Sequence, residues 1–136
     1  MSFGNSIVAG LLNSPFHRLM SGTTDLIRYT GRRSGTQFTT PTQYAWAGDD
    51  LIILVARPES KNWWKNFKTE GDIEVLIKRE WLTMTAHTVI GKEDPETIQP
   101  MLDAYLERYP KTARLFADET KGSPADQAVL VRCRPR

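Results

Sequence analysis

The feature that most constrains the fold is a two-residue alternation of side chains in the first half of the chain. It is clearest over residues 36–46, where one face consists of Phe38, Thr40, Tyr44 and Trp46. Successive side chains of a β-strand point to opposite faces, so this spacing predicts a strand with one largely aromatic face. The residues Ala47-Gly48-Asp49-Asp50 then supply a hairpin turn into an apolar strand over 51–56.

Further strands are predicted on both sides of this hairpin. A short strand over 25–30 ends in the glycine-flanked turn 31–35, which completes a three-stranded meander. The segments 73–77 and 81–90 again alternate and form a second hairpin, and a last strand covers 127–133. The chain is therefore predicted to contain five or six mostly antiparallel strands.

The spacing of apolar residues becomes helical over 95–109, with Asp94 as the expected N-cap, and a short helix is expected within 112–118. Pro41 lies inside the second strand, where it has no N–H for a ladder bond, and so predicts an edge, a bulge or a break there. Many strands and few helices in a short chain predict an α+β fold with a small closed or half-closed barrel.

The length of 136 residues, with 40% hydrophobic and 25% charged residues, is that of one globular domain. We expect a single domain over 1–136, with an N-terminal amphipathic helix over 1–20, barrel strands over 25–90 and a helical segment over 94–118. No stretch reaches the roughly 20 apolar residues of a membrane span. A signal peptide has basic residues before its apolar run, and here no basic residue precedes the first apolar run. We expect a cytoplasmic protein, whose N-terminal helix packs on its own domain or contacts a membrane surface peripherally.

Several function classes lack support in the sequence. One cysteine, Cys133, and two histidines are too few for the usual metal cages, so no metal is expected. The chain has no nucleophile elbow, phosphate-binding loop or dinucleotide-binding turn. Its net charge of +2 is small, so we expect no nucleic-acid partner, although two adjacent tryptophans with basic neighbours are compatible with base stacking.

Basic residues are in excess between positions 28 and 68, a stretch that contains seven lysines and arginines but only three acidic residues. Within this stretch, the turn 31–35 presents two guanidinium groups, a hydroxyl and glycine-flanked amides, which suits phosphate or carboxylate recognition or forms a solvated basic turn. Trp63 and Trp64 follow in a predicted helical turn. Neighbouring residues on a helix point about 100° apart, so one ring can face the core while the other stacks on a ligand, unless both close the barrel end.

In combination, these motifs resemble the deazaflavin-dependent nitroreductase family. The match covers about 25–90 and rests on Thr30-Gly31-Arg32-Arg33-Ser34-Gly35, Pro41-Thr42-Gln43-Tyr44, the strand Leu51–Ala56, and Trp63-Trp64-Lys65-Asn66-Phe67. The resemblance implies a split β-barrel like that of flavin-binding pyridoxamine oxidases. It also implies coenzyme F420 as the cofactor, a deazaflavin whose phosphodiester and polyglutamate tail suits the basic stretch.

The resemblance further implies a cofactor site made of three groups of residues. The acidic tail or phosphate would be held by Arg32, Arg33 and Ser34, and the ring would lie along Pro41 and Thr42. The phosphate side would be lined by Ala56, Arg57 and Lys61, and the pocket would be closed by Trp63, Trp64 and Asn66.

The implied reaction is hydride transfer from the reduced deazaflavin to a nitroaromatic, a quinone or an enone. Water or Tyr109, the one candidate for a catalytic residue, would supply a proton. Split barrels of this kind often complete their cleft across a two-fold interface, so a homodimer is expected. The competing hypothesis is a non-catalytic barrel that binds an apolar or aromatic ligand, with lipid, haem or a flavin such as FMN in place of F420.

Overall fold

The predicted hairpins close on one another in a computed structural model, which describes residues 24–136. Six strands form the barrel: β1 (Thr24–Thr30), β2 (Gln37–Ala47), β3 (Asp50–Leu54), β4 (Gly71–Ile77), β5 (Glu80–Ile90) and β6 (Val129–Pro135). They follow the order β1-β2-β3-β6-β5-β4, and each neighbouring pair is antiparallel. The prediction of a barrel of five or six mostly antiparallel strands is confirmed, and the barrel is closed. The expected N-terminal helix over 1–20 lies outside the described residues.

The helices of the described residues lie between β3 and β4 and between β5 and β6. In this part of the chain the α-helices are α1 (Pro95–Arg108) and α2 (Pro124–Gln127), and four short 3₁₀ helices cover Pro58–Ser60, Trp63–Phe67, Pro110–Phe116 and Glu119–Lys121. As predicted, Asp94 caps α1 by accepting a hydrogen bond from the N–H of Thr97. The helix expected within 112–118 is instead the 3₁₀ helix that begins at Pro110. No helix among the described residues is long and apolar enough to cross a membrane.

The apolar residues form two clusters on opposite sides of the barrel wall. In β3, Leu51 and Ile53 point into the barrel interior, whereas Ile52 and Leu54 pack with α1. Because both faces of β3 are buried, its sequence is a continuous apolar run rather than an alternation. The α1 stripe that covers the outer face consists of Ile98, Met101, Leu102 and Tyr105.

Strand β2 changes partner half-way along its length. Residues 37–43 pair with β1, and the register with β3 begins only at Tyr44, opposite Ile53. Pro41 lies in the first half, opposite Leu26, and the edge of β2 that faces away from β1 is not paired with β3 there. The two strands therefore diverge on the N-terminal side of Tyr44. The sequence predicts an edge, a bulge or a break at Pro41, and the structure has an edge there. Strand β3 was predicted to reach Ala56 but ends at Leu54.

Glycine 91 fixes the position of α2 against the end of β5. Its N–H donates to the carbonyl oxygen of Ala128, and a Cβ atom at this position would lie 1.7 Å from the carbonyl oxygen of Ala125. Only a residue without a side chain allows the two backbones to approach this closely.

Candidate functional site

The divergence of β2 and β3 opens a cavity of about 490 Å³, named here the Pro41 cavity. Residues 40–43 of β2 form one wall and residues 53–56 form the other; the lining is completed by Lys61, Trp63, Tyr105, Thr112 and Leu115. The volume lies in the range of roughly 300 to 1,000 Å³ that is usual for small-molecule sites. Five of the predicted cofactor residues meet here: Pro41, Thr42, Ala56, Lys61 and Trp63.

Side-chain hydrogen bonds fix the polar part of this wall. The ammonium group of Lys61 donates to the carbonyl oxygen of Ala56, and the hydroxyl of Tyr105 donates to Oε1 of Gln43 at 3.2 Å. Lys61 is the one charged residue that lines the Pro41 cavity in the described part of the chain. The cavity thus offers mostly apolar and uncharged polar surface, with a single cation at its rim.

The two adjacent tryptophans point to different places, as their helical spacing predicts. Trp64 is 8% exposed, belongs to the interior cluster, and donates from Nε1 to the carbonyl oxygen of Pro58 at 2.9 Å. Trp63 is only partly buried and lines the Pro41 cavity. Its ring centroid lies 6.4 Å from that of Tyr29 and 6.5 Å from that of Phe67. Trp63 is therefore the ring available to a ligand of the Pro41 cavity.

A second cavity of about 310 Å³, the Arg33 cavity, lies beside the glycine-flanked turn. Its charged lining residues are Arg32, Arg33 and Lys65, and no acidic side chain of the described residues lines it. Asn66 holds the turn in place, since its Oδ1 accepts the N–H of Arg32 at 2.7 Å while its Nδ2 donates to the carbonyl oxygen of Trp63 at 2.9 Å. Ser34 also lines this cavity, and its hydroxyl accepts the N–H of Thr36. The turn is thus held in place, and every charged side chain of the described residues that lines this cavity is a cation.

Two predicted residues lie elsewhere. Arg57 and Trp64 line a third cavity of about 890 Å³, the Arg114 cavity, on the side of the barrel end covered by α2. Arg57 has a left-handed backbone (φ 52°), a conformation that non-glycine residues adopt rarely. The Arg114 cavity shares Val55, Ala56 and Leu115 with the Pro41 cavity. The residues predicted as one pocket are thus distributed over three neighbouring cavities.

Tyr109, the sequence candidate for a proton donor, is a neighbour of the site rather than a lining residue. Its hydroxyl donates to the carbonyl oxygen of Tyr44, and its ring lies 4.9 Å from that of Tyr105. Burial raises the pKa of both tyrosine hydroxyls. Tyr105, one helical turn earlier on α1, is the tyrosine that lines the Pro41 cavity.

Sequence reasoning missed one buried acid, Asp25. It is 0% exposed, and its Oδ1 accepts a hydrogen bond from the hydroxyl of Thr42. Its Oδ2 is buried and has no hydrogen-bond partner among the described residues. Burial raises the pKa of Asp25 to about 7. The sequence held a signal for this placement, since Asp25 is in period with the interior residues Ile27 and Tyr29.

Not every basic residue of the stretch 28–68 is available to an anion. The guanidinium of Arg28 forms a two-pronged pair with Glu74, at 2.8 and 3.0 Å, and lies 4.1 Å over the ring of Trp81. This pair ties β1 to β4 on the outer face of the barrel. The local positive charge that faces the cavities comes from the turn and from the segment after β3.

Comparison with known proteins gives a family match and several structural matches. The model of the family described as F420H(2)-dependent quinone reductase matches residues 12–117. Comparison with curated proteins gives no significant match.

Among the solved structures that match, three illustrate the shared fold. An F420-H2-dependent reductase matches at 20% identity and a TM-score of 0.62, covering 82% of this chain and 94% of that chain. A putative pyridoxamine 5'-phosphate oxidase from Listeria innocua matches at 11% identity and a TM-score of 0.53, covering 99% and 94%. A protein described as a domain-swapped dimer matches at 15% identity and a TM-score of 0.52, covering 96% and 99%.

Proposed function

The chain belongs to the F420H(2)-dependent quinone reductase family, and from that premise we propose that it passes a hydride from reduced coenzyme F420 to an electron-poor small molecule. The family makes it an oxidoreductase that uses coenzyme F420, and this favours the reductase over the non-catalytic binding hypothesis. A quinone is the first choice of acceptor, ahead of a nitroaromatic or an enone. The observation that carries the proposal is the Pro41 cavity, opened by the divergence of β2 and β3 beside a wholly cationic turn.

The residues of the Pro41 cavity suit a flat, partly polar ring system. Residues 40–43 of β2 have a backbone edge that is not paired with β3, so the N–H and C=O groups on that edge can bond to polar ring atoms, although Pro41 has no N–H to offer. Trp63 adds an aromatic face, and stacking of aromatic rings contributes about 0.5 to 1.5 kcal/mol beyond the buried area. We therefore assign the ring of the cofactor to this cavity.

The acidic tail is assigned to the Arg33 cavity. The segment Lys61–Asn66 forms the wall between the two cavities, since Lys61 and Trp63 line one while Asn62 and Asn66 line the other. Phosphate and carboxylate groups form strong charge-assisted hydrogen bonds with guanidinium groups. Arg32, Arg33 and Lys65 supply three positive charges without a competing carboxylate.

Bound F420 in its reduced form supplies the hydride, so the protein residues bind and orient the reactants. Trp63 and the β2 edge orient the ring, and the turn 31–35 anchors the tail. The shared wall at Val55, Ala56 and Leu115 leaves the Arg114 cavity next to the ring, where it offers space for the acceptor.

A titration of the purified protein with F420 and with FMN tests the proposal, with cofactor fluorescence as the readout. We expect tighter binding of F420, because several anionic groups of its tail meet the cationic turn. Arg33→Ala should weaken F420 binding about tenfold, a loss of about 1.4 kcal/mol, with little change in melting temperature. Arg114→Ala is the matched control and should leave F420 affinity nearly unchanged.

Two results would contradict this assignment. Equal or tighter binding of FMN would remove F420 chemistry from first place. A large effect of Arg114→Ala with none from Arg33→Ala would move the tail to the Arg114 cavity.

We also propose a homodimer as the active unit. The fold relative described as a domain-swapped dimer supports this, as do two large exposed aromatic side chains on β2, Phe38 and Trp46. Sedimentation velocity at micromolar concentration should give twice the chain mass. A monomer that turns over substrate would refute the proposal.

A further inference from the structure

We propose that Asp25 is a positioning residue, whose buried carboxyl sets the direction in which the Thr42 hydroxyl hydrogen-bonds at the wall of the Pro41 cavity. This inference rests on the proposed function, because it concerns the cavity to which the reaction is assigned. Asp25 does not line the cavity itself, so any effect on a ligand passes through Thr42.

The register of β1 and β2 places the two side chains together. Asp25 is opposite Thr42, and residues opposite each other in an antiparallel pair present their side chains on the same face. The contact is a hydrogen bond between the Thr42 hydroxyl and Oδ1 of Asp25. Thr42 also lines the Pro41 cavity, so one residue contacts both the buried acid and the ligand space.

Within residues 24–136, no positive charge compensates Asp25: Arg108 acts on the neighbouring Tyr44 and Tyr109 rather than on the acid. Asp25 acts on four titratable groups: Tyr44 on β2, Tyr105 on α1, Tyr109 directly after α1, and Cys133 on β6. All four are neutral at neutral pH, and Oδ2 lacks a hydrogen-bond partner among the described residues. A buried carboxylate without a partner is costly, so the neutral acid is favoured, in keeping with a pKa of about 7.

The protonation state of Asp25 decides what Thr42 offers to the cavity. A hydroxyl has one proton to donate and two lone pairs. When Asp25 is ionised, Thr42 donates to the carboxylate and presents only lone pairs to the cavity. When Asp25 is neutral, its own O–H can donate to Thr42, which frees the Thr42 proton to point into the cavity.

The donor arrangement is the one that the proposed site needs. The Pro41 cavity is assigned to the cofactor ring and the Arg114 cavity to the acceptor, so Thr42 acts on the ring. A hydroxyl donor can bond to a polar ring oxygen and hold the ring in one orientation, whereas a hydroxyl that presents only lone pairs cannot. The neutral form of Asp25 is thus expected to be the active form, and no proton of Asp25 has to reach the substrate.

The first test needs no cofactor. Infrared spectra of the protein alone at neutral pH should contain the carbonyl stretch of a protonated carboxyl group that is absent in Asp25→Asn. In Thr42→Val the same band should persist at a shifted frequency, because the hydrogen bond to Thr42 is gone. Thr42→Ser should restore the wild-type frequency.

The second test is the pH profile of kcat/KM for F420-dependent quinone reduction. In the wild type kcat/KM should fall as pH rises through about 7. Asp25→Asn and Thr42→Val should each remove this fall, and the double variant should add no further change because the two residues act as one unit. Asp103→Asn, an exposed carboxyl on α1, should keep the wild-type profile.

The two tests separate the inference from the proposed function. A carboxyl band that does not respond to Thr42→Val overturns the inference, whatever the protein reduces. A wild-type pH profile retained in Thr42→Val overturns it as well and leaves Asp25 a structural residue. If the infrared shifts appear as expected but the protein does not bind F420 more tightly than FMN, the proposed function is contradicted and the Asp25–Thr42 coupling is retained.

Discussion

Replacement of each of the two adjacent tryptophans by leucine should separate stability from cofactor binding. Trp64 is almost fully buried and donates a hydrogen bond to the Pro58 carbonyl. Trp64→Leu loses that bond, about 1 kcal/mol, and leaves a cavity that costs about 2 kcal/mol more. The free energy of unfolding should fall by about 3 kcal/mol, which lowers the melting temperature by on the order of 10 °C.

Trp63→Leu should have the opposite profile. This ring is partly buried and lines the Pro41 cavity, so its loss removes stacking worth about 0.5 to 1.5 kcal/mol and weakens F420 binding several-fold. Its contacts with Tyr29 and Phe67 are edge or tilted contacts, and we expect a stability loss of only about 1 kcal/mol.

Urea unfolding and a fluorescence titration with F420 on the same protein samples measure both quantities. The sequence offers the control, because the two variants make the same substitution one residue apart. Reduced F420 affinity in Trp64→Leu together with full affinity in Trp63→Leu would refute the assignment of the ring to the Pro41 cavity. Large instability of both variants without any change in affinity would mean that both rings close the barrel end and neither stacks on the cofactor.

Two further predictions concern stability. The pKa of Asp25 is about 7 in the folded protein against an ordinary value of 3.8, so the folded state holds one extra proton between these values and becomes less stable as pH rises from about 4 to about 7. Asp25→Asn should remove this loss, which urea unfolding at several pH values would show; an unchanged pH slope would mean that Asp25 is ionised throughout. Gly91→Ala should destabilise the fold by more than about 3 kcal/mol because its Cβ meets the Ala125 carbonyl, and Gly48→Ala, at a left-handed turn with open space, should cost about 1 kcal/mol in the same assay. Similar costs for both glycine variants would show that α2 shifts to make room.

The strands were predictable where burial alternates along the chain, and less so where it does not. The alternation over 36–46 located β2, and Pro41 marked the part of it that is not paired with β3. The end of β3 was misplaced because Val55 and Ala56 are as apolar as the strand itself: they line the cavities after the ladder with β2 has ended. Local patterns also do not show that β6 lies between β3 and β5, since such pairing joins distant segments.

The candidate site was predictable only in part, because it was inferred from short motifs. The family and its cofactor were identified from short motifs, and the family match confirms both. The motifs could not show that Arg57 and Trp64 line a different cavity from Lys61 and Trp63, because a tight 3₁₀ turn redirects neighbouring side chains. Asp25 was missed because an acid at the start of a strand is usually a turn residue, although its period with Ile27 and Tyr29 indicates the inward face that the register shows.

The change of partner in β2 affects the local motion of the barrel with and without a bound ligand. The Pro41 cavity lies at a seam where two strands lack rungs, so a ligand seated there can supply bonds that the sheet itself does not make. Peptide N–H groups at such a seam exchange with solvent through small local openings rather than by global unfolding. Occupancy should therefore slow hydrogen–deuterium exchange at the N–H groups of residues 40–43, Pro41 excepted, while leaving the ladder between β4 and β5 unchanged, so that the ligand stiffens the barrel where β2 and β3 diverge.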